Sequence, residues 1–357
     1  MQEKDLYVLK VGAQTLIDED GVVRDTVITK ILESAKSILE KGNNVLIVTS
    51  GAVYLGRVFL KDRKASKTIS ASIGQPLLFA YYQNKARDLG INLAEFLITR
   101  PYVIRREQFL NLQNTFNELL NKGIIPIVNE NDALVSGTDW SFGDNDSLAS
   151  ALAISLNAKK LILISHVDGL FDDDPENNPK ANFICEVDNI SDQFIKYCSN
   201  KPSLIGNGGM LSKLKVARIC SAVGIETQII NGVKSNNILQ TIEGVCTGTR
   251  FLPRQISGKI TNRDRWILAA KNSAGSIEVD DGAVKALLSG ASLLAVGVKK
   301  INGQFNEKEV IEIVDKNARG IAFGIVDFSH SEIENLIKNK DTHKNQLIHA
   351  NNMFILK

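Results

Sequence analysis

"TVITKILESAKSILEKGNNVLIVTSG", residues 26–51, holds in one run the unit from which the N-terminal part of the chain is built. Its first half sets Ile28, Ile31 and Leu32 at helical spacing and stops at Gly42, a residue suited to a left-handed helix end. Its second half, "NVLIVTSG" (44–51), runs Val, Leu, Ile and Val consecutively, the pattern of a strand covered on both faces. The strand then ends in polar residues. Helix, buried strand and polar tail in succession predict a layered α/β protein with a largely parallel sheet.

The unit recurs. "LYVLKVG" (6–12), "INLAEFLIT" (91–99), "IIPIVNEND" (124–132), "KLILISHVDG" (160–169) and "IETQIING" (225–232) all read as buried central strands separated by helical patterns. In open α/β sheets ligands bind at the carboxyl ends of the strands. The tails "KVGAQ" (10–14), "TSGA" (49–52), "NEND" (129–132) and "SHVDG" (165–169) are therefore expected to converge on one site.

Near "FLPRQISGK" (251–259) the pattern changes to short strand-like pieces with turn signals, such as "EVIEIVD" (309–315) and "GIAFGIVDF" (320–328). This predicts a first domain over residues 1–252 and a small, mainly β second domain over 258–357. From Gly258 onward 14 Lys and Arg face 12 Asp and Glu, and the whole chain carries a net charge of +2. Neither balance makes the basic stripe of a nucleic-acid binder. The four cysteines (Cys185, Cys198, Cys220, Cys246) form no C-x-x-C pair and read as reduced thiols. The N-terminus lacks a signal-peptide apolar core, and no apolar run is long enough to span a bilayer. A cytoplasmic protein is expected.

The familiar catalytic motifs are missing. There is no G-x-x-x-x-G-K-[ST] loop, G-x-G-x-x-G, G-x-S-x-G or H-E-x-x-H, and His166 is the one histidine of the α/β part. Lysines, glycines and carboxylates remain. Lys10 closes the first strand next to Gly12, and "GNGGMLSK" (206–213) leads into a helix whose N–H groups and Lys213 suit an anion. "FGDNDSLAS" (142–150) sets Asp144 and Asp146 around Asn145, a few residues after Asn129 and Asp132. Taken singly these have bland readings: a solvated lysine, a turn, a helix cap at Asp144, Asp146 or Ser50. Together they suit phosphoryl transfer, which asks for positioning and charge neutralisation and little covalent help. An acceptor that is itself a carboxylate needs no general base.

The order of short motifs resembles the glutamate 5-kinases, members of the amino acid kinase superfamily that carry a C-terminal PUA domain. The motifs are Lys10 with Gly12, "VTSGA" (48–52), "IGQ" (73–75), "LITR" (97–100), "FLN" (109–111), "VNENDA" (128–133), "GDND" (143–146), "VDGL" (167–170), "GGM" with Lys213, and "GTRF" (248–251). "RDRWI" (263–267) and "VDDGA" (279–283) continue the match into the second domain. The resemblance implies a three-layer amino acid kinase sandwich with a mainly parallel central sheet, plus a PUA domain. It implies phosphorylation of the γ-carboxylate of L-glutamate by ATP with Mg2+, the first step of proline biosynthesis.

Carried over position by position, Ser50, Asp132 and Asn145 would hold glutamate, with Asp132 on its ammonium and Asp144 on the glutamate or magnesium side. Lys10 and Lys213 would lie on the transferring phosphoryl oxygens, and Asp146 would fix both lysines. Gly12, Ser165, His166 and the run Asn207, Gly208, Gly209, Met210, Leu211, Ser212 and Lys213 would contact the nucleotide. No metal ligand is assigned. The resemblance also implies a homo-oligomer (dimer or tetramer), proline as a feedback inhibitor, and delivery of the labile product to glutamate-5-semialdehyde dehydrogenase.

Three departures stand out. Ala13 replaces the Ser or Thr that usually follows K-x-G, leaving Gln14 to substitute for its hydroxyl; Ser165–His166 replaces Ser/Thr-Asp; and "RPYVIRREQF" (100–109) lacks acidic residues of the loop linked to proline inhibition. Ala13 and His166 motivate an alternative reading, an impaired kinase retained as a glutamate- or proline-binding regulator. A third reading is RNA binding through the PUA domain, which the near-neutral balance disfavours.

Overall fold

The structure, a computed structural model, describes residues 4–135, 140–173, 178, 180–188, 190, 209–234, 237–255, 259–338 and 345–356. It divides into two compact units, Met1–Ile256 and Ser257–Lys357.

In the first unit the strands β1 (Leu6–Val11), β2 (Asn44–Val48), β3 (Leu93–Ile98), β4 (Ile125–Glu130) and β5 (Lys160–Ser165) lie parallel. Two short strands, β6 (Leu170–Phe171) and β7 (Phe183–Ile184), form their own hairpin. β8 (Glu186–Val187), β9 (Glu226–Asn231) and β10 (Gly248–Phe251) complete an eight-stranded sheet ordered β3-β4-β2-β1-β5-β9-β10-β8. β9 continues the parallel run and β10 pairs with it antiparallel.

The central strands bury both faces, as their unbroken Val, Ile and Leu runs require: Val8, Leu9, Val45 to Val48, Ile127, Val128 and Leu161 to Ile164 are nearly inaccessible. β3 corrects one expectation. It sits at the sheet edge with only Ile98 buried, because its sequence interrupts the apolar run with Glu95 and, among the described residues, no strand pairs on its outer side.

Helices cover the sheet because each presents one apolar stripe. α1 (Ala13–Leu16) is a single turn after β1, and α2 (Asp25–Glu40) buries Val27, Ile28, Ile31, Leu32, Ala35 and Ile38 against the sheet core. Gly42 follows α2 at φ +79°, the left-handed stop read from sequence. α3 (Ala52–Leu60) and α4 (Lys67–Leu89) meet through glycines: a Cβ on Gly56 would lie 1.9 Å from the Ser70 carbonyl oxygen, and one on Gly74 1.8 Å from that of Ala52. Backbone therefore packs on backbone at this crossing.

α5 (Pro101–Ile104) and α6 (Arg106–Asn121) follow β3, and α6 buries Phe109, Leu112, Phe116 and Leu120 at helical spacing. α7 (Asn145–Ser155) is buried almost all round; α8 (Met210–Ala222) and α9 (Asn237–Ile242) flank β9.

The second unit opens with α10 (Asn262–Ala269), whose Thr261 and Asp264 form a reciprocal capping box. β11 (Lys271–Val279), α11 (Asp281–Leu288), β12 (Leu293–Leu294), β13 (Val298–Gly303), β14 (Val310–Val314), β15 (Gly320–Ile325), α12 (His330–Lys338), β16 (Gln346–Ile348) and β17 (Met353–Ile355) follow. Five strands form a sheet ordered β13-β11-β14-β15-β17 around a core that includes Ile277, Ile311, Ile313, Ala322 and Leu347. Strand content dominates this unit, as its turn-punctuated sequence implies.

The thiol expectation fails at one pair. Cys185, between β7 and β8, is joined by a disulfide to Cys246, just before β10, while Cys220 is buried and outside that disulfide. The two cysteines lie 61 residues apart, and the sheet register that pairs β8 with β10 is what brings them together. Cys198 lies outside the described residues. Among the described residues no helix is long and apolar enough to cross a membrane.

Candidate active site

The carboxyl ends of β1, β2, β4 and β5 carry the polar tails, and α7 and α8 point their first turns at the same edge. Asp146 is the centre of this arrangement. It lies in the first turn of α7 with no solvent exposure, and its two oxygens meet two ammonium groups. Lys10 Nζ, from β1, is 2.6 Å from Oδ1, and Lys213 Nζ, from α8, is 3.1 Å from Oδ2. Both lysine side chains are only 7% exposed, so neither is a solvated strand or helix terminus. Burial pushes the Asp146 carboxyl up, but the charges of Lys10 and Lys213 outweigh it and hold the group below the usual carboxylate range. Burial lowers the Lys213 ammonium, and Lys10 adds to that, against the opposing pull of Asp146.

Two ammonium groups thus converge on one carboxylate, and the charge of Asp144 also acts on Lys213. Gly12 sits at the same strand end, and a Cβ there would make only ordinary van der Waals contacts, with Thr15 Oγ1 at 3.7 Å and Lys10 Nζ at 3.9 Å. Gly209 is the uncapped N-terminal residue of α8, whose first turn holds Met210, Leu211 and Ser212, all half-buried. Asn207 and Gly208 lie outside the described residues.

Asp144 caps α7, accepting the Ser147 N–H at 2.7 Å, as its bland reading foresaw. Its other oxygen accepts the Ser212 hydroxyl at 2.8 Å, so one carboxylate ties the starts of α7 and α8 together. Asn145 is the second hub. Its amide nitrogen donates to the Thr49 carbonyl at 2.7 Å, to Ser50 Oγ at 2.8 Å and to Asn129 Oδ1 at 2.9 Å. Ser50 therefore is no helix cap: Gly51 holds that place, and no side chain caps α3.

Sequence reading passed over several residues that frame these groups. Gln75 accepts from Asn129 at 2.8 Å and donates to Glu95 at 2.7 Å, extending the Asn145 network across to β3. Glu130 accepts the Phe142 N–H at 2.5 Å and the Ser141 hydroxyl at 3.1 Å, fixing the turn that delivers residues 143–146. Burial raises the Glu130 carboxyl, and the charge of nearby Asp132 raises it further, against those two hydrogen bonds. Thr15 is fully buried, and its hydroxyl finds no protein partner. Gln14 instead lines a separate cavity of about 180 Å3 with Ala13, Tyr54 and His166. Gln75 stood inside "IGQ" and Glu130 inside "VNENDA", but neither was given a role there; Glu95 and Thr15 carry no local pattern and are visible only through their three-dimensional neighbours.

Asp132 is brought to the same edge but is engaged by Lys67 Nζ at 2.7 Å. Of the residues expected at the nucleotide, Ser165 is buried, and its carbonyl accepts the Gly232 N–H at 2.9 Å. His166 is exposed, and its carbonyl accepts from Asn231 at 3.0 Å. Among the described residues no group of three or more His, Cys, Asp or Glu gathers as a metal site.

Residues 5–231 match the model of the amino acid kinase family, and residues 275–345 that of the PUA domain. The glutamate 5-kinase of Prochlorococcus marinus (strain MIT 9301) is 35% identical over 96% of this chain and 96% of its own length. That of Vibrio vulnificus (strain YJ016) is 36% identical over 91% of this chain and 87% of its own. The chain belongs to the glutamate 5-kinase family. Among solved structures, the UMP kinase from Ureaplasma parvum is similar over 70% of this chain and 100% of its own, at 18% identity and a TM-score of 0.48. The family's kinase domain thus contains the Lys10–Asp146–Lys213 arrangement, and the PUA match falls in the second unit.

Proposed function

We propose that the chain transfers the γ-phosphoryl group of MgATP to the γ-carboxylate of L-glutamate, forming L-glutamyl 5-phosphate and ADP in the first step of proline biosynthesis. The observation that carries the mechanism is the buried clamp of Lys10 and Lys213 on Asp146 at the rim of the sheet. A carboxylate oxygen of glutamate attacks the terminal phosphorus, a P–O bond forms, and the bond to the bridging oxygen of ADP breaks. No proton moves, since the nucleophile is already an anion. The absence of a histidine base beside Asp146 is consistent with that chemistry.

Two anions must approach each other, and the two ammonium groups lower that repulsion where the charge builds up. Asp146 keeps the lysines apart and aimed; it does not touch the reacting atoms. Mg2+ enters with the nucleotide, in keeping with its habit of binding one or two carboxylates together with substrate phosphates. Gly12, Ser165, His166 and the run from Asn207 to Lys213 are assigned to the nucleotide. Ser50, Asp132, Asn145 and Asp144 are assigned to glutamate, with Asp132 accepting from its ammonium.

Residues 1–252 are assigned as the catalytic domain and 258–357 as the PUA domain. A cytoplasmic homo-oligomer that hands its product to glutamate-5-semialdehyde dehydrogenase and is inhibited by proline completes the reading. A coupled ADP assay with glutamate, with and without proline, tests substrate, competence and regulation together. Lys10→Ala and Lys213→Ala should each lower turnover by orders of magnitude while the fold persists. Unchanged rates in those variants would remove the assigned roles.

A further inference from the structure

An amino acid acceptor brings two head-group charges on one carbon, an ammonium and a carboxylate. Asp132 answers the first. The side chains around it do not answer the second: a cavity of about 150 Å3 is lined by Gln75, Glu95, Glu130 and Asp132, among others, and its charged members are acidic. An α-carboxylate entering beside those groups meets repulsion unless a cation accompanies it. Among the described residues, Lys67 is the cation paired with Asp132 of that lining. It is the first residue of α4, its Nζ lies 2.7 Å from Asp132 Oδ1, and its charge also reaches Glu130.

The side chain is 41% exposed, so its four-carbon stem is free to swing, unlike the buried lysines of the phosphoryl clamp. An adjacent Lys–Asp pair is the mirror of a zwitterionic head group: it presents a plus where the amino acid has a minus, and a minus where it has a plus. Gln75, on the same helix as Lys67, joins this end of the cavity to Asn129 and through it to Asn145 and Ser50. Gln75, Asn129, Asn145 and Ser50 are therefore one hydrogen-bonded assembly, and its Gln75 lines the same cavity as Asp132.

We propose that Lys67 is a specificity-determining residue whose ammonium holds the α-carboxylate of the acceptor while Asp132 holds its α-ammonium. The ion pair seen here is the ligand-free form of that reader. The inference rests on glutamate as the ligand of this site, taken from the proposed function, and on the assignment of Asp132 to its ammonium.

The test compares wild type, Lys67→Gln and Lys67→Arg with two acceptors at saturating MgATP. The acceptors are L-glutamate and 4-aminobutanoate, which keeps the ammonium and the terminal carboxylate and lacks the α-carboxylate. Lys67→Gln should raise KM for glutamate about 10-fold or more, the scale of one lost hydrogen bond between charged groups, with kcat within about threefold. It should leave kcat/KM for 4-aminobutanoate unchanged, and Lys67→Arg should restore most of the glutamate KM. Equal losses for both acceptors, or an unchanged KM for glutamate, overturn the inference and leave the kinase reading intact. Calorimetric titration of glutamate into the nucleotide-free proteins separates the remaining cases. Binding that weakens in Lys67→Gln, without turnover in wild type, sustains the inference and sinks the kinase reading. No binding by wild type removes both.

Discussion

Replacing Asp146 by Asn keeps the side-chain shape and deletes the charge between two buried ammonium groups. At 2.6 and 3.1 Å, and with an effective dielectric constant of about 20, the two attractions are worth roughly 6 and 5 kcal/mol before desolvation is counted. Desolvation offsets much of that. The net cost of stripping one partner from a buried ion pair is about 3–5 kcal/mol. For a unit of this size that corresponds to a fall in Tm of about 6–20 °C.

Differential scanning fluorimetry of Asp146→Asn against wild type measures it directly. The physical cause has its own signature: the polyphosphate of ATP supplies the missing negative charge, so MgATP should raise the Tm of the variant more than that of wild type. The deficit should also narrow as pH rises from 7 to 9, because Lys213, whose ammonium burial already lowers, can shed its proton once the Asp146 charge is gone. A Tm within 2 °C of wild type, an equal response to MgATP and a kcat/KM within threefold would together refute the clamp as described.

Acid titration reads the same carboxylate. Its folded-state pKa lies below the ordinary value of about 3.9, so its stabilising contribution is complete above that value and fades as pH falls through the depressed one; Asp146→Asn should flatten that part of the acid unfolding curve. Thr15→Val removes a buried hydroxyl without a protein partner and should raise the stability of the ligand-free protein by about 1 kcal/mol in urea unfolding. If the KM for MgATP rises as well, that hydroxyl meets the nucleotide; if only stability changes, it does not. Gly74→Ala drives a methyl into the Ala52 carbonyl and should lower Tm by several degrees, with Gly56→Ala behaving alike. Iodoacetamide applied in denaturant without reductant should label Cys220 and spare Cys185 and Cys246; labelling of all three would show the pair reduced.

Periodicity and strand-end chemistry carried far in this chain. Runs such as "NVLIVTSG" announced buried parallel strands because a residue with no polar partner can only be placed where both faces are covered. Gly42 announced a helix end, because an L side chain resists the left-handed turn found there. The ordered motifs announced the family and nominated Lys10, Asp146 and Lys213, residues scattered over two hundred positions. What they could not announce was who touches whom. That Asp146 is the buried member, that Asp144 spends its two oxygens on Ser147 and Ser212, and that Asn145 rather than a helix end engages Ser50 follow from how α7 is set against β1, β2 and α8.

The same holds for the misreadings. β3 looked like its neighbours by composition, yet position in a sheet is decided by which strand pairs beside it, and among the described residues none pairs on its far side. Cys185 and Cys246 sit 61 residues apart with no local signal, and only the pairing of β8 with β10 makes them neighbours. Lys67 was one lysine among many until α4 set it on Asp132. Local patterns report which surfaces must be buried, because that constraint acts residue by residue. Contacts between charged groups depend on distance in space, and distance is a property of the packed chain.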